Sequence, residues 1–269
     1  MGFKLGPGRR SAGGAADEGG GPEEGSLAPE PTSPWSERPP LGMATLPGIV
    51  VELHEPPSAA LHEIDRLFVR VFALVGEAIA GATHALLAGD REAAKELVRG
   101  DEMVDVLTHR IAVLAQDELV EGDTTRQERQ ELVAVLRMMP DLERNGDLAE
   151  HIARRAARGL GAEMSARSRG LVERMGEVAA SIWRETADTF AARSVDTALH
   201  VEDLDDELDD LHVTLTAELV AGTMPLPVAI ELAMVARFYE RFGDHAVNLA
   251  RRMAALVGGG TEPGTSGPD

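Results

Sequence analysis

An all-α fold, two tandem three-helix bundles packed side by side, is predicted by three observations in this 269-residue chain. Apolar residues from about 58 to 257 recur every three or four positions, as in Ile64, Phe68, Val71, Val75, Ala78 and Ala82, which is the period of one helix face. Aromatic residues make up only 3% of the chain, too few for the aromatic and β-branched packing on which strands depend. Two acidic helical motifs each occur twice, in the same order, a sign of internal duplication.

The predicted organisation is a tail and short apolar segment over 1–57, a first repeat over 58–160, a second over 161–257, and a tail over 258–269. Residues 1–42 contain ten Gly and seven Pro, a level that marks low-complexity sequence. Such a segment buries too little apolar surface to offset chain entropy, and disorder is expected. Residues 43–57 (MATLPGIVVELHEPP) are apolar and end at Pro56-Pro57, predicting an added strand or clip; Met43 offers a second candidate start. Residues 258–269 are again rich in Gly, Pro, Ser and Thr, and fraying is expected.

Helix breakers divide the central region into six predicted segments: 58–88, 91–120, 126–160, 165–192, 195–221 and 227–257. Asp90 and Ser194 suit the N-caps of the second and fifth. Thr125 with Glu128 reads as a capping box for the third. Pro227 suits the first turn of the sixth, and Pro140 is expected to kink the third.

The repeat is visible residue by residue. DLERNGDLAEHIARRA (141–156) aligns with FYERFGDHAVNLARRM (238–253) at an offset of 97, with eight of sixteen positions identical. DEMVDVL (101–107) aligns with DDELDDL (205–211) at an offset of 104, as do the caps Asp90 and Ser194. Two such units side by side share a larger core than either builds alone.

Each unit carries two acidic pairs spaced by four: Asp101/Asp105 and Glu143/Asp147, then Asp205/Asp209 and Glu240/Asp244. That spacing puts both carboxylates on one helix face, about one turn apart, where like charges repel. A cation between adjoining helices reverses the sign, and four carboxylates can clamp one or more hard or borderline metal ions through oxygen. Against this, acidic residues number 46, so any single pair is more often a solvated face. Four pairs at matching repeat positions favour metal.

Gly146 and Gly243 sit inside the motifs, although Gly in a helix interior costs about 1 kcal/mol relative to Ala. Their matched positions suggest close approach of a neighbouring helix or ligand; the alternative is a tolerated small residue beside Ala149 and Ala246, in ordinary close helix packing. Arg144 and Arg241 either orient a carboxylate or are solvated partners of adjacent acids. His245 matches Leu148, which argues against a shared metal role. His109 and His212 follow acids at chance spacing, and His54, His62, His84 and His200 have no visible constellation.

Charge and composition exclude much else. The net charge is −20, which repels phosphate backbones and excludes nucleic acid as a partner. There is no Cys, hence no disulfide, zinc ribbon or thiol catalysis. No apolar run reaches the ~18 residues of a membrane span, and no secretory signal stands out, so a cytoplasmic helical protein is expected. Glu-x-x-His, Walker, G-x-G-x-x-G, G-x-S-x-G and H-E-x-x-H motifs are absent. No nucleophile stands beside a base, so no enzymatic activity is expected.

At these residues the chain resembles the PhoU family of phosphate-uptake regulators, whose hallmark is a doubled D-L-E-R-I-G-D-H-A-x-N-I-A. Here it stands as DLERNGDLAEHIA (141–153) and FYERFGDHAVNLA (238–250), preceded by DEMVD and DDELD. The resemblance spans about 200 residues and implies two packed three-helix bundles whose acidic motifs hold multinuclear clusters, with iron favoured and zinc, manganese or magnesium as alternatives. It implies the ligands Asp101, Asp105, Glu143 and Asp147 in one unit and Asp205, Asp209, Glu240 and Asp244 in the other. It further implies a cytoplasmic homodimer, peripheral to the membrane through its partners, that links the phosphate ABC transporter ATPase to a sensor histidine kinase and represses the phosphate-starvation response. The first unit departs from the pattern at Asn145, Leu148 and Glu150-His151, which places its metal occupancy below the second's. Rival readings are a metal-free interaction scaffold, a metal-dependent hydrolase of phosphate esters and a metal-storage protein.

Overall fold

The computed structural model describes residues 58–100, 102–192, 195–222 and 224–257. Asp101, the cap at Ser194, the segment 43–57 and both tails lie outside the described residues. Among the described residues the chain is all helical: α1 (Ala59–Ala88), α2 (Arg91–Gly100), α3 (Glu102–Glu121), α4 (Arg126–Ala157), α5 (Ala166–Ala192), α6 (Val195–Ala221) and α7 (Leu226–Val257), with a short 3-10 turn at Leu160–Glu163.

The predicted second segment is two helices, α2 and α3, on either side of Asp101. The third stops at Ala157 rather than 160, because Gly159 takes the left-handed conformation at φ 91° that ends helices and suits glycine. Pro140 does not end α4, which runs from Arg126 to Ala157 with Pro140 on its exposed side.

Local chemistry sets the helix starts. Asp90 Oδ1 accepts from the backbone N–H groups of Glu92 and Ala93 at 3.1 and 3.0 Å, capping α2. The Thr125–Glu128 capping box is complete. Glu128 also accepts from Ser58 N–H at 3.1 Å, tying the start of α1 to the start of α4. These backbone donors, Thr125's above all, hold the Glu128 carboxyl below its usual range. Pro227 sits in the first turn of α7, where Pro225 C=O accepts from Val228 and Ala229.

In the first repeat α1, α3 and α4 pack on one another, with α2 laid against α1 and α4; in the second, α5, α6 and α7 pack mutually. The repeats meet along α4–α7 and α1–α5, and one hydrophobic core runs through both. Its aromatic centre is drawn from three helices: Phe72 of α1 lies 5.1 Å from Trp183 of α5, which lies 5.4 Å from Phe242 of α7. Phe190 stacks on Phe68 at 4.8 Å. Trp183 Nε1–H donates to Phe72 C=O at 2.8 Å, and Thr83 Oγ1 shares a 2.7 Å hydrogen bond with Tyr239 OH, so the polar atoms of both buried aromatics are satisfied.

The expectation of no span-length apolar segment needs correction. By length and composition α1 is apolar enough to cross a membrane, since its few charges are dispersed among Ala, Val, Leu and Phe. Its apolar side, from Leu61 to Leu86, is buried against its neighbours, which is the environment of a core helix.

Candidate functional site

The second-repeat quartet lies along the α6–α7 packing. Asp205 and Asp209 stand one turn apart on α6, and Glu240 and Asp244 one turn apart on α7. Gly243 explains how they approach. A Cβ at this buried position would collide with Asp205 Oδ1, so the missing side chain makes room for a carboxylate. Of the two explanations open for this glycine, close approach in the second repeat is made by the Asp205 carboxylate, with Leu208 behind it.

The electrostatics follow from that proximity. Burial pushes Asp205 up to about 7, with the negative charges of Asp209, Asp244, Asp206 and Glu240 adding to the shift. Burial raises Asp209, helped by Asp244, while His212 opposes. Burial also raises Glu240, opposed by Arg237 and reinforced by Asp244. Arg237 Nη1 donates to Glu240 Oε1 from one turn earlier. Asp205 Oδ1 and Glu240 Oε2 are buried without any hydrogen-bond partner. An orphaned carboxylate oxygen in the interior is costly unless a proton or a cation meets it.

Of the first-repeat carboxylates, Asp105, Glu143 and Asp147 are described, and only Asp147 among them is half-buried. Thr108 Oγ1 lies 3.2 Å from Glu143 Oε1, while also donating to its own helix at Val104 C=O. Asp147 is raised by burial and then by Asp105, while Arg144 opposes from 3.6 Å. Arg144 therefore partners Asp147 at the surface, the solvated role open to it in the sequence. Asp105 and Glu143 are exposed, and Arg241 is exposed in the second repeat.

The structure thus places Asp205, Asp209, Glu240 and Asp244 near enough for their charges to interact, and does the same for Asp105 and Asp147. Among the described residues no three His, Asp or Glu side chains converge closely enough to hold one ion. Like charges at this spacing repel and do not close on a point unaided. The donor set nevertheless suits a hard cation: hard oxygens, two of them buried and unpartnered, in a half-buried setting.

Sequence reasoning did not single out Arg237, whose signal is an opposite charge three residues before Glu240. It also missed Thr108, which carries no local signal. His212, which follows Asp209 at a chance-level spacing, lies near enough to act on both Asp209 and Glu240. His245 is engaged elsewhere: its Nδ1 lies 2.9 Å from Asp141 Oδ1 across the α4–α7 seam, with Arg252 Nε 3.5 Å from Asp141 Oδ2.

Comparison with known proteins follows the same repeat. Residues 68–156 and 172–253 match the family model described as the PhoU domain. The chain is 30% identical over 205 residues to the phosphate-specific transport system accessory protein PhoU homolog 2 of Mycobacterium tuberculosis, covering 72% of this chain and 92% of that one. It is 31% identical over 194 residues to PhoU homolog 1 of the same organism, covering 69% and 86%. The crystal structure of PhoU from Pseudomonas aeruginosa superposes with a TM-score of 0.70 at 28% identity, covering 75% of this chain and 99% of that one. Two domain matches in tandem, on the two repeats that carry the acidic motifs, establish that the chain belongs to the PhoU family.

Proposed function

We propose that this protein is a regulatory accessory component of phosphate uptake whose acidic helix faces hold metal ions. Family membership and the names of its relatives support the first part. One observation carries the second: Asp205 Oδ1 and Glu240 Oε2 are buried and unpartnered among four carboxylates on α6 and α7. Asp205, Asp209, Glu240 and Asp244 would hold the ion there; Asp105, Glu143 and Asp147, with Asp101, would do so in the first repeat. A bound cation supplies positive charge that offsets the carboxylate repulsion and joins α6 to α7. Iron is favoured by the family resemblance, ahead of zinc, manganese or magnesium.

In this reading Gly243 admits the Asp205 carboxylate, Arg237 fixes one oxygen of Glu240, and the helix faces form a docking surface whose shape depends on the ion. The partners are the phosphate ABC transporter ATPase and a sensor histidine kinase, engaged by a homodimer at the cytoplasmic side of the membrane. The role in this reading is that of an accessory protein rather than an enzyme, as the names of the relatives suggest.

Elemental analysis of full-length protein purified without chelator tests the metal. About one or more ions per chain is expected, falling by at least about half in an Asp205→Asn/Glu240→Gln double variant. A metal-free protein whose melting temperature ignores added iron or zinc would instead establish an interaction scaffold. That second reading is supported by the lack of a three-ligand convergence among the described residues.

A further inference from the structure

The described residues also form a basic cavity that shares no residue with the acidic faces. It has a volume of about 220 Å³ and lies where the C-terminal end of α4, the 3-10 turn and the first turn of α7 meet the start of α2. Three guanidinium groups line it, those of Arg91, Arg155 and Arg158, against two carboxylates, Glu163 and Glu231.

Only one of the three arginines is neutralised. Arg155 Nε faces Glu231 Oε2 at 3.0 Å, and its guanidinium lies over the Phe238 ring at 4.5 Å, which fixes the group at the cavity wall. Yet Arg155 Nε and Glu231 Oε2 are both buried without a properly directed hydrogen bond. Arg91 and Arg158 make no ion pair with any described residue. Burial holds the Arg155 guanidinium below its usual range, with Glu231 opposing and the positive charge of Arg158 adding to the lowering.

Backbone features deepen the positive character. Arg91 is the first residue of α2 and Pro227 stands in the first turn of α7, so the positive ends of two helix dipoles border the space. Gly159 completes the wall. A Cβ there would collide with the Arg91 guanidinium, so this glycine serves both the left-handed helix end and the entry of Arg91.

A plainer account has Arg155 and Arg158 complementing the C-terminal dipole of α4, with Arg91 solvated. That account explains neither the convergence of three like charges on one concavity nor the glycine that admits Arg91. We infer that this cavity binds a small tetrahedral oxyanion, held by charge-assisted contacts from the guanidinium groups of Arg91, Arg155 and Arg158. Its volume lies below the roughly 300–1,000 Å³ of pockets for drug-sized ligands, which selects a free oxyanion over a nucleotide.

The inference is independent of metal at the acidic faces, and the test keeps them separate by using chelator throughout. Inorganic phosphate is titrated into the full-length, chelator-treated chain by calorimetry, with sulfate as an isostere, ATP as a bulky phosphate and chloride at matched ionic strength. Phosphate and sulfate are expected to bind and chloride not. Arg91→Ala/Arg158→Ala should weaken phosphate binding by about tenfold or more, the scale of lost charge-assisted hydrogen bonds. Both positions are exposed, so the variant should keep its helical circular dichroism; Lys95→Ala, outside the cavity, should bind like the parent. Binding no stronger than chloride, affinity unchanged in the double variant, or ATP binding more tightly than phosphate would each overturn the proposal.

Discussion

Gly243 and Asp205 occupy one space: the carboxylate of α6 lies where the first carbon of a side chain on α7 would be. The Gly243→Ala variant sets two effects against each other. Alanine improves helix propensity by about 1 kcal/mol, while the new methyl displaces the Asp205 carboxylate and crowds Leu208. Because Asp205 ends in a short side chain that can turn outward, the metal-free stability should change by less than about 1 kcal/mol. Any melting-temperature gain from added metal should nonetheless largely vanish. Equal metal-induced shifts in Gly243→Ala and parent would show that Asp205 is not a ligand.

The pH dependence of the metal-free protein follows from the same carboxylate. Asp205 rises from an ordinary value of 3.8 to about 7 in the folded chain, so the folded state holds a proton that the unfolded chain releases. Its contribution is fully present below about pH 4 and is lost as pH rises through 7. Asp209 and Glu240 are raised as well and act in the same direction. Glu128 acts oppositely, but its pKa is lowered from 4.5, so its contribution is constant above about pH 5. Denaturation in chelator should therefore give greater stability at pH 5 than at pH 8, and Asp205→Asn should shrink the difference. A stability that rises between those values would contradict the burial of Asp205.

What the sequence could reveal was what depends on neighbours along the chain. Helix periods, the caps at Asp90 and Thr125, the first-turn position of Pro227, and the spacing of Glu240 from Asp244 are local facts, and the structure places them accordingly. The repeat offset added the pairing of middle and last helices. Hidden from it were contacts between distant residues: His245 with Asp141, 104 positions apart, and Trp183 with Phe72, 111 apart. The arginine cavity was equally invisible, since Arg91 and Arg155 meet only after α2 and α7 have docked on α4. The acidic quartets lie between these extremes. Their membership was legible from charge spacing, but the half-burial that makes Asp205 differ from Asp105 depends on tertiary packing.

Trp183 spans the two repeats. It belongs to the second repeat, donates to a backbone carbonyl of the first, and touches Phe72 on one side and Phe242 on the other. Trp183→Ala should cost about 3–5 kcal/mol, as for other large buried aromatics. Unfolding of the parent, followed by tryptophan fluorescence and by helical circular dichroism, should give coincident transitions. Two separated transitions would mean that each repeat carries an independent core.

Asn145 breaks the repeat where it should be most apolar, and the structure gives it no compensation. It is fully buried, its matched residue is the core aromatic Phe242, and neither Oδ1 nor Nδ2 has a hydrogen-bond partner. Each unsatisfied polar group in such a place costs about 1–3 kcal/mol, so an apolar side chain of similar size should be better tolerated. Asn145→Leu is therefore expected to stabilise the protein by about 1–2 kcal/mol, the rest being offset by imperfect packing of a branched side chain. Asn145→Phe, the literal copy of Phe242, should gain less, because the added ring volume has to displace close-packed neighbours. Urea denaturation of the two variants checks the order. Destabilisation by Asn145→Leu would mean that a buried water or another polar group satisfies the amide, and the seam between α4 and α7 would then be a hydrated one.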